Sequence, residues 1–130
     1  EINKELNRNY YFASREWVYN DVKPSIIIEK CMTTETQKEL IDYKFFCFNG
    51  IPKFLYVSQG WQKHNNVKVS FVDMDYNELE FCRIDYKPFE KLPQKPVNFE
   101  EMKMLAKKLS KDIPFVRVDL SIILIQARYS

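Results

Sequence analysis

Glycine and histidine are scarce in this chain of 130 residues. The two glycines are Gly50 and Gly60, and the single histidine is His64. Loops that cradle phosphates need at least two closely spaced glycines, so the chain has neither a dinucleotide-binding loop nor a Walker-type loop. A two-histidine zinc helix and a Cys2His2 finger need more histidine than the chain has. These classes of site are therefore excluded.

Cysteine, net charge and apolar runs are limited as well. Cys31, Cys47 and Cys82 are odd in number and lack Cys-x-x-Cys spacing, which argues against a disulfide framework or a thiolate metal site. We expect buried, reduced thiols in a cytoplasmic protein. The net charge is only +2, with evenly spread charges, so no nucleic-acid partner is expected. No run approaches the ~18 apolar residues of a membrane span, so no transmembrane segment is predicted.

Aromatic and β-branched runs are plentiful and predict an antiparallel sheet. Asn49-Gly50 separates two aromatic-rich runs, and both central residues of a type I′ turn need positive φ, so this pair predicts a β-hairpin. The other strands follow from runs of apolar residues bounded by turn or charged residues. The predicted strands cover residues 25–31, 41–48, 51–57, 67–72, 79–84 and 115–120.

Residues 99–111 are predicted to form the best-defined helix. Asn98 occupies an N-cap position, and Glu101 follows at the spacing of a capping box. An apolar stripe at helical spacing consists of Met102, Leu105, Ala106 and Leu109. A short irregular helix is predicted within residues 4–16. The fold class is therefore α+β, an antiparallel sheet with one packed helix in a single domain.

Two pairs of charged residues lie on strand faces where a ligand would meet them. Strand periodicity places Arg117 and Asp119 on one face of the last strand, and Asp42 and Lys44 on one face of the first hairpin strand. An arginine fork can hold a phosphate, and a carboxylate can hold the magnesium that bridges phosphate oxygens. A solvent-facing ion pair and a strand end emerging into water are the alternatives that the pattern leaves open.

Four segments together resemble the TupA-like (teichuronopeptide biosynthesis) branch of the ATP-grasp superfamily, over about residues 10–120. The segments are Arg15-Glu16-Trp17, Pro24-Ser25-Ile26-Ile27-Ile28-Glu29-Lys30, Asp42-Tyr43-Lys44-Phe45-Phe46-Cys47-Phe48-Asn49-Gly50 and Phe115-Val116-Arg117-Val118-Asp119-Leu120. The resemblance implies the fold of an ATP-grasp C-terminal subdomain. It also implies ATP- and magnesium-dependent ligase chemistry in bacterial cell-surface polysaccharide biosynthesis, in proteins often labelled glycosyltransferases.

The same resemblance assigns residues to the nucleoside part of ATP. Glu29 and Lys30 match the strand end that reads adenine, largely through backbone groups, and Met32 would line the ring. Asp42 falls where an acidic residue usually holds the ribose hydroxyls. On pattern alone, Glu29 and Lys30 are equally a strand end with an exposed ion pair.

The resemblance assigns three further residues to phosphate and metal. Arg117 matches the phosphate-binding arginine, and Lys44 shares a strand face with Asp42, so both are predicted catalytic residues. Asp119 matches the carboxylate that binds magnesium. Negative charge builds up on the transferring phosphoryl oxygens of an acyl-phosphate mechanism, and cations of this kind would neutralise it.

Part of the family's site is expected to lie outside this chain. After Leu120 the family continues with a second acidic metal ligand, whereas residues 121–130 contain no carboxylate and depart from the family. The subdomain with the first phosphate-binding lysine precedes the first matching segment. We therefore expect a truncated piece, a single partial domain over residues 1–130.

Two functions stay open for such a piece. The first is the ligase-type enzyme, and the alternative is a non-catalytic remnant that binds a nucleotide weakly or acts as an interaction module. The expected partners are a nucleotide and an unidentified sugar or amino-acid substrate. The sequence does not define the substrates or the oligomeric state.

Overall fold

The described part of the chain forms two compact units. The computed structural model describes residues 2–29, 40–61 and 66–122. The first unit is Glu1–Cys31 and the second is Met32–Ser130. No helix within the described ranges is long and apolar enough to cross a membrane.

Short helices make up the ordered elements of the first unit. They are α1 (Ile2–Leu6), α2 (Tyr11–Ser14) and a 3₁₀ helix (Trp17–Tyr19). The irregular helix predicted within residues 4–16 is thus present as two separate short helices. Arg15 ends α2 because its backbone takes a left-handed conformation with φ of 59°.

The triple isoleucine of the first unit does not form a strand. The strand predicted over residues 25–31 is wrong for residues 25–29, while residues 30 and 31 lie outside the described ranges. Ile28 is 92% exposed. A strand satisfies its backbone N–H and C=O groups by pairing with a neighbour. The described residues of this unit include no strand that could serve as such a neighbour.

A four-stranded antiparallel sheet forms the centre of the second unit. Its strands are β1 (Asp42–Phe48), β2 (Ile51–Gln59), β3 (Lys68–Val72) and β4 (Phe115–Ser121). Their order across the sheet is β3-β2-β1-β4, and all neighbours are antiparallel. The predicted α+β class is confirmed, and these strands correspond to four of the predicted ones.

The predicted hairpin between β1 and β2 is confirmed. Asn49 and Gly50 have φ values of 48° and 75°, as a type I′ turn requires. A bulge follows, because Cys47 pairs with Pro52 and Phe46 with Phe54, which leaves Lys53 as the extra residue. Pro52 has no backbone N–H to donate to a neighbouring strand. It lies outside the part of β2 that pairs with β3, so no hydrogen bond to β3 is lost there.

The strand predicted over residues 79–84 is wrong. Leu79 N donates a hydrogen bond to the Phe71 carbonyl oxygen at 2.8 Å, beside an isolated bridge between Val72 and Glu78, but no strand forms over these residues. Aromatic side chains of this segment instead contact the sheet, with 4.7 Å between the ring centres of Phe81 and Phe71. Ring contacts with a sheet face take the place of ladder pairing here.

The helix of the second unit is α3 (Phe99–Leu109), which packs on one face of the sheet. The Phe45 and Phe99 ring centres lie 6.1 Å apart. The core between helix and sheet contains the buried residues Tyr43, Phe45, Cys47, Leu55, Val57, Val72, Phe99, Met102, Ala106 and Val118. The predicted helix is confirmed, although it ends two residues earlier than expected.

The predicted details of α3 are partly wrong. Leu105 and Leu109 are exposed, because the buried face runs through Phe99 rather than through these leucines. Asn98 makes no side-chain capping hydrogen bond, so the capping box with Glu101 is absent. The backbone of Asn98, with φ of −95° and ψ of 24°, is not in the extended conformation that a capping side chain needs.

The expectation of buried cysteines holds for one of the two described cysteines. Cys47 is buried under α3, and Cys82 is exposed, which contradicts the expectation. Cys82 lies in the segment after β3, which forms no strand of the sheet. Its side chain is therefore not covered by packing between strand and helix. Cys31 lies outside the described ranges.

Candidate functional site

The sheet face opposite α3 carries a cluster of charged residues at one end. Tyr43 and Phe45 of β1 are buried in the core beneath the helix. Side chains alternate along a strand, so Asp42 and Lys44 project from the opposite face. The register pairs Lys44 with Asp119 of β4. The fold thereby joins two predicted pairs that are far apart in sequence.

Three side chains of this face form one hydrogen-bonded ion cluster. Lys44 Nζ donates to Asp119 Oδ2 at 3.0 Å. Arg117 donates through Nε to Asp119 Oδ1 at 2.8 Å and through Nη2 to Oδ2 at 3.0 Å. The Lys44 side chain is only 17% exposed, and that of Asp119 is 39% exposed. We call these residues the Lys44–Asp119–Arg117 cluster.

The charges of the cluster stabilise one another. Burial raises the pKa of Asp119, but hydrogen bonds from Arg117 and Lys44 lower it more, so the pKa lies below its ordinary value of 3.8. The hydrogen bond to Asp119 raises the pKa of Arg117. At neutral pH the cluster therefore holds two cations and one carboxylate, which leaves one positive charge without a partner inside it.

Asp42 lies beside the cluster at the end of β1. Its register partner in β4 is Ser121. Ser121 Oγ donates a hydrogen bond to Asp42 Oδ1 at 2.7 Å. No hydrogen bond from another described residue to the second oxygen, Oδ2, is present. Asp42 thus has acceptor capacity left for a ligand hydroxyl.

Aromatic rings border the charged residues of this face. The Arg117 guanidinium lies 6.0 Å from the centre of the Tyr56 ring, and Lys44 Nζ lies 5.9 Å from the Trp61 ring. Phe46 continues the face and stacks on Phe54 with 4.8 Å between ring centres. Such contacts attract cations to ring faces and restrict where their head groups lie.

A further arginine of this face was missed by the sequence analysis. Arg83 Nε donates to Asp85 Oδ1 at 2.8 Å, and its Nη2 donates to Oδ2. The Arg83 guanidinium lies 4.8 Å from the Tyr86 ring centre. The spacing Arg-x-Asp of this pair is the spacing of Arg117 and Asp119, and that repeat is the signal that would have found it.

The structure brings together four of the predicted site residues, namely Asp42, Lys44, Arg117 and Asp119. Glu29 is exposed in the first unit. Lys30 and Met32 lie outside the described ranges. The roles assigned to all seven residues stay predictions.

The described residues do not supply a complete set of protein ligands for a magnesium ion. In residues 2–29, 40–61 and 66–122, no group of three or more His, Cys, Asp or Glu side chains is placed to hold a metal ion. Magnesium is usually held by one or two carboxylates together with substrate phosphates and water. Asp119 therefore fits a metal that arrives with phosphate, and its predicted metal role stays a prediction.

The second unit is thus an α+β fold whose sheet face opposite α3 carries a charged cluster beside aromatic rings. The chain belongs to the TupA-like ATPgrasp family, whose model matches residues 1–126. This confirms the family indicated by the sequence, and the match extends beyond residues 10–120 at both ends. Neither a search of curated proteins nor a search of solved structures finds a significant match.

Proposed function

We propose that the chain binds ATP and magnesium as part of a ligase-type ATP-grasp protein of bacterial cell-surface polysaccharide biosynthesis, of the kind often labelled glycosyltransferase. ATP-grasp enzymes generally activate a carboxylate as an acyl phosphate. The acyl group is then transferred to an amine or thiol, and phosphate leaves. The observation that carries the proposal is the Lys44–Asp119–Arg117 cluster, within a chain of this family. The proposed location is the cytoplasm, where ATP is available and cysteine thiols stay reduced.

Arg117 and Lys44 are the proposed phosphate contacts. Arg117 has further N–H donors beyond the two that it gives to Asp119, and the Lys44 ammonium has more than the one that it gives. A guanidinium binds phosphate oxygens in a bidentate manner, whereas an ammonium acts as a point charge. Both would act on the charge that develops during phosphoryl transfer, since Asp119 already holds them in position.

Asp119 is the proposed magnesium ligand. Oδ2 accepts hydrogen bonds from both Lys44 and Arg117, whereas Oδ1 accepts one from Arg117 and keeps a lone pair for a metal ion. Asp119 would hold the ion together with phosphate oxygens. When bound, magnesium would neutralise phosphate charge, and the protein's own part is to keep the carboxylate ionised at neutral pH.

The nucleoside is proposed to lie against the remaining predicted residues. Asp42 has an oxygen available for the ribose hydroxyls. Glu29, Lys30 and Met32 are the proposed adenine contacts, on the basis of the family resemblance. The proposed second substrate is a sugar or an amino acid.

Calorimetric titration with ATP, with and without magnesium, tests this function. We expect magnesium to tighten ATP binding in the wild type, and Asp119→Asn to remove that gain. Asp112→Asn, which changes an exposed aspartate outside the cluster, is the matched control and should keep it. A wild-type chain that does not bind ATP would overturn the proposal.

Phosphate release from ATP, measured in the same samples, separates the two functions that the sequence left open. Turnover that Asp119→Asn abolishes supports the enzyme. Nucleotide binding without turnover supports the non-catalytic module.

A further inference from the structure

The segment after β3 brings a second Arg-x-Asp pair to the sheet face that carries the Lys44–Asp119–Arg117 cluster. Leu79 and Tyr86 of this segment pack against the residues of that face. Arg83, which lies between them, is held by Asp85 in the same two-bond arrangement that Asp119 gives to Arg117. The fold therefore supplies two oriented guanidinium groups from two unrelated stretches of chain.

A continuous path of contacts links Arg83 to Lys44. The Arg83 guanidinium lies 4.8 Å from the Tyr86 ring, and the Tyr86 ring lies 5.3 Å from the Trp61 ring. The Trp61 ring in turn lies 5.9 Å from Lys44 Nζ. Arg117 contacts Lys44 through Asp119. A chain of contacts thus connects the three cations, with Lys44 between the Trp61 ring on one side and Asp119 on the other.

Charge interactions agree with this path. Asp119 raises the pKa of Arg117, and the positive charge of Arg83 acts against that shift. The two positive charges therefore oppose each other. An anion between like charges relieves such repulsion, and polyphosphates offer several charged oxygens at once.

The Arg83–Asp85 pair contributes little to holding the segment on the sheet. Its members are two residues apart in one segment, and their side chains are 36% and 47% exposed. Exposed pairs of this kind add little to stability. Phe81 and Tyr86, which contact rings of the sheet face, attach the segment instead. The ion pair orients the guanidinium rather than anchoring the chain.

We propose that Arg83 is a further phosphate-binding residue, which contacts the polyphosphate of the same nucleotide that Lys44 and Arg117 contact. This inference rests on the proposed ATP binding and deepens it. The ligand class is a nucleoside di- or triphosphate, because only a chain of phosphates offers oxygens to several cations along this path of contacts. A nucleoside without phosphates gains nothing from Arg83.

Calorimetry with ATP and with adenosine tests the role of Arg83 in the full chain. We expect Arg83→Gln to weaken ATP binding about tenfold, the loss of a charged hydrogen-bonding contact, and to leave adenosine affinity unchanged. Arg83→Lys keeps the charge without the fork, so it should recover part of the ATP affinity. Lys91→Gln removes an exposed positive charge from the connector before α3 and should change neither affinity.

Three outcomes would overturn the inference, and they are distinguishable. If the wild type binds ATP and Arg83→Gln binds it equally well, Arg83 is not a phosphate contact, while the proposed function stands. If Arg83→Gln weakens ATP and adenosine alike and lowers the thermal unfolding midpoint, its role is structural. If the wild type binds no ATP, the proposed function fails, and this inference fails with it.

Discussion

Asp119 is the residue on which the charged cluster depends. It accepts hydrogen bonds from both Lys44 and Arg117, so it holds two like charges close together on neighbouring strands. Its carboxylate can do this only while it is ionised. The two cations lower the pKa of Asp119, so its carboxylate is ionised at neutral pH. A single side chain thus couples the geometry of the cluster to pH.

The first prediction concerns the pH dependence of stability. A carboxylate whose pKa is lowered on folding stabilises the fold fully above its ordinary pKa, and this contribution is lost as pH falls through the lowered value. We therefore expect the difference in unfolding free energy between wild type and Asp119→Asn to be steady from neutral pH down to about pH 5 and to shrink below 3.8.

Urea unfolding at a series of pH values measures this difference. Asp112→Asn controls for the removal of one exposed carboxylate outside the cluster. A difference for Asp119→Asn that is as large in strong acid as at neutral pH would show that ionisation of Asp119 does not stabilise the fold.

At the scale of elements, turns and the packed helix fix where the strands place their side chains. The hairpin turn at Asn49 and Gly50 sets the register of β1 against β2, so Lys44 lies opposite Tyr56. Gly60 ends β2 with φ of 94° and lies close to the backbone of Asn66. α3 covers the other face of the sheet, so the charged cluster lies on the face away from the helix. These elements position the cluster without belonging to it.

The second prediction compares the two glycines. Gly50→Ala should cost about 1 kcal/mol, because a non-glycine residue is strained at positive φ, and its added Cβ would lie an ordinary 3.6 Å from the nearest atom. Gly60→Ala should cost clearly more, because its Cβ would lie 2.5 Å from the Asn66 carbonyl oxygen and the backbone would have to move. Denaturant unfolding of both variants measures the two losses. Equal losses, or a larger loss at Gly50, would contradict the described geometry of the Gly60 turn.

The third prediction tests which face of α3 packs on the sheet. Met102 is 3% exposed and Leu109 is 58% exposed. Met102→Ala should therefore cost about 2–5 kcal/mol, as truncation of a buried side chain does, whereas Leu109→Ala should cost less than about 1 kcal/mol. The free energy of unfolding of each variant gives the answer. A larger loss from Leu109→Ala would mean that the helix is rotated about its axis.

At the scale of the whole molecule, the sequence predicts local structure better than long-range contact. Asn49-Gly50 reveals the hairpin because its turn chemistry is local. Residues 25–28 and 79–84 have the composition of strands, yet a strand also needs a partner, and composition does not contain that information.

The candidate site shows the same limit. Strand periodicity identified which residues share a face, but the contact between Lys44 and Asp119 joins positions 75 residues apart. It depends on β4 pairing with β1, which no local pattern specifies. The Arg-x-Asp spacing marks Arg83 in the sequence, but its place on the sheet face comes from ring packing between Phe81 and Phe71, which no local pattern specifies. The family resemblance supplied the connection that the pattern could not.

The affinity for ATP relative to adenosine, measured by calorimetry with magnesium present, tests the central claim most directly. If the Lys44–Asp119–Arg117 cluster binds phosphate, the wild type binds ATP more tightly than adenosine, and Lys44→Gln and Arg117→Gln each reduce that preference about tenfold without changing adenosine affinity. Lys53→Gln, at the exposed bulge of β2, removes a matched charge and should leave the preference intact. A wild-type chain with equal affinity for ATP and adenosine, or a preference that survives both cluster variants, would contradict the account.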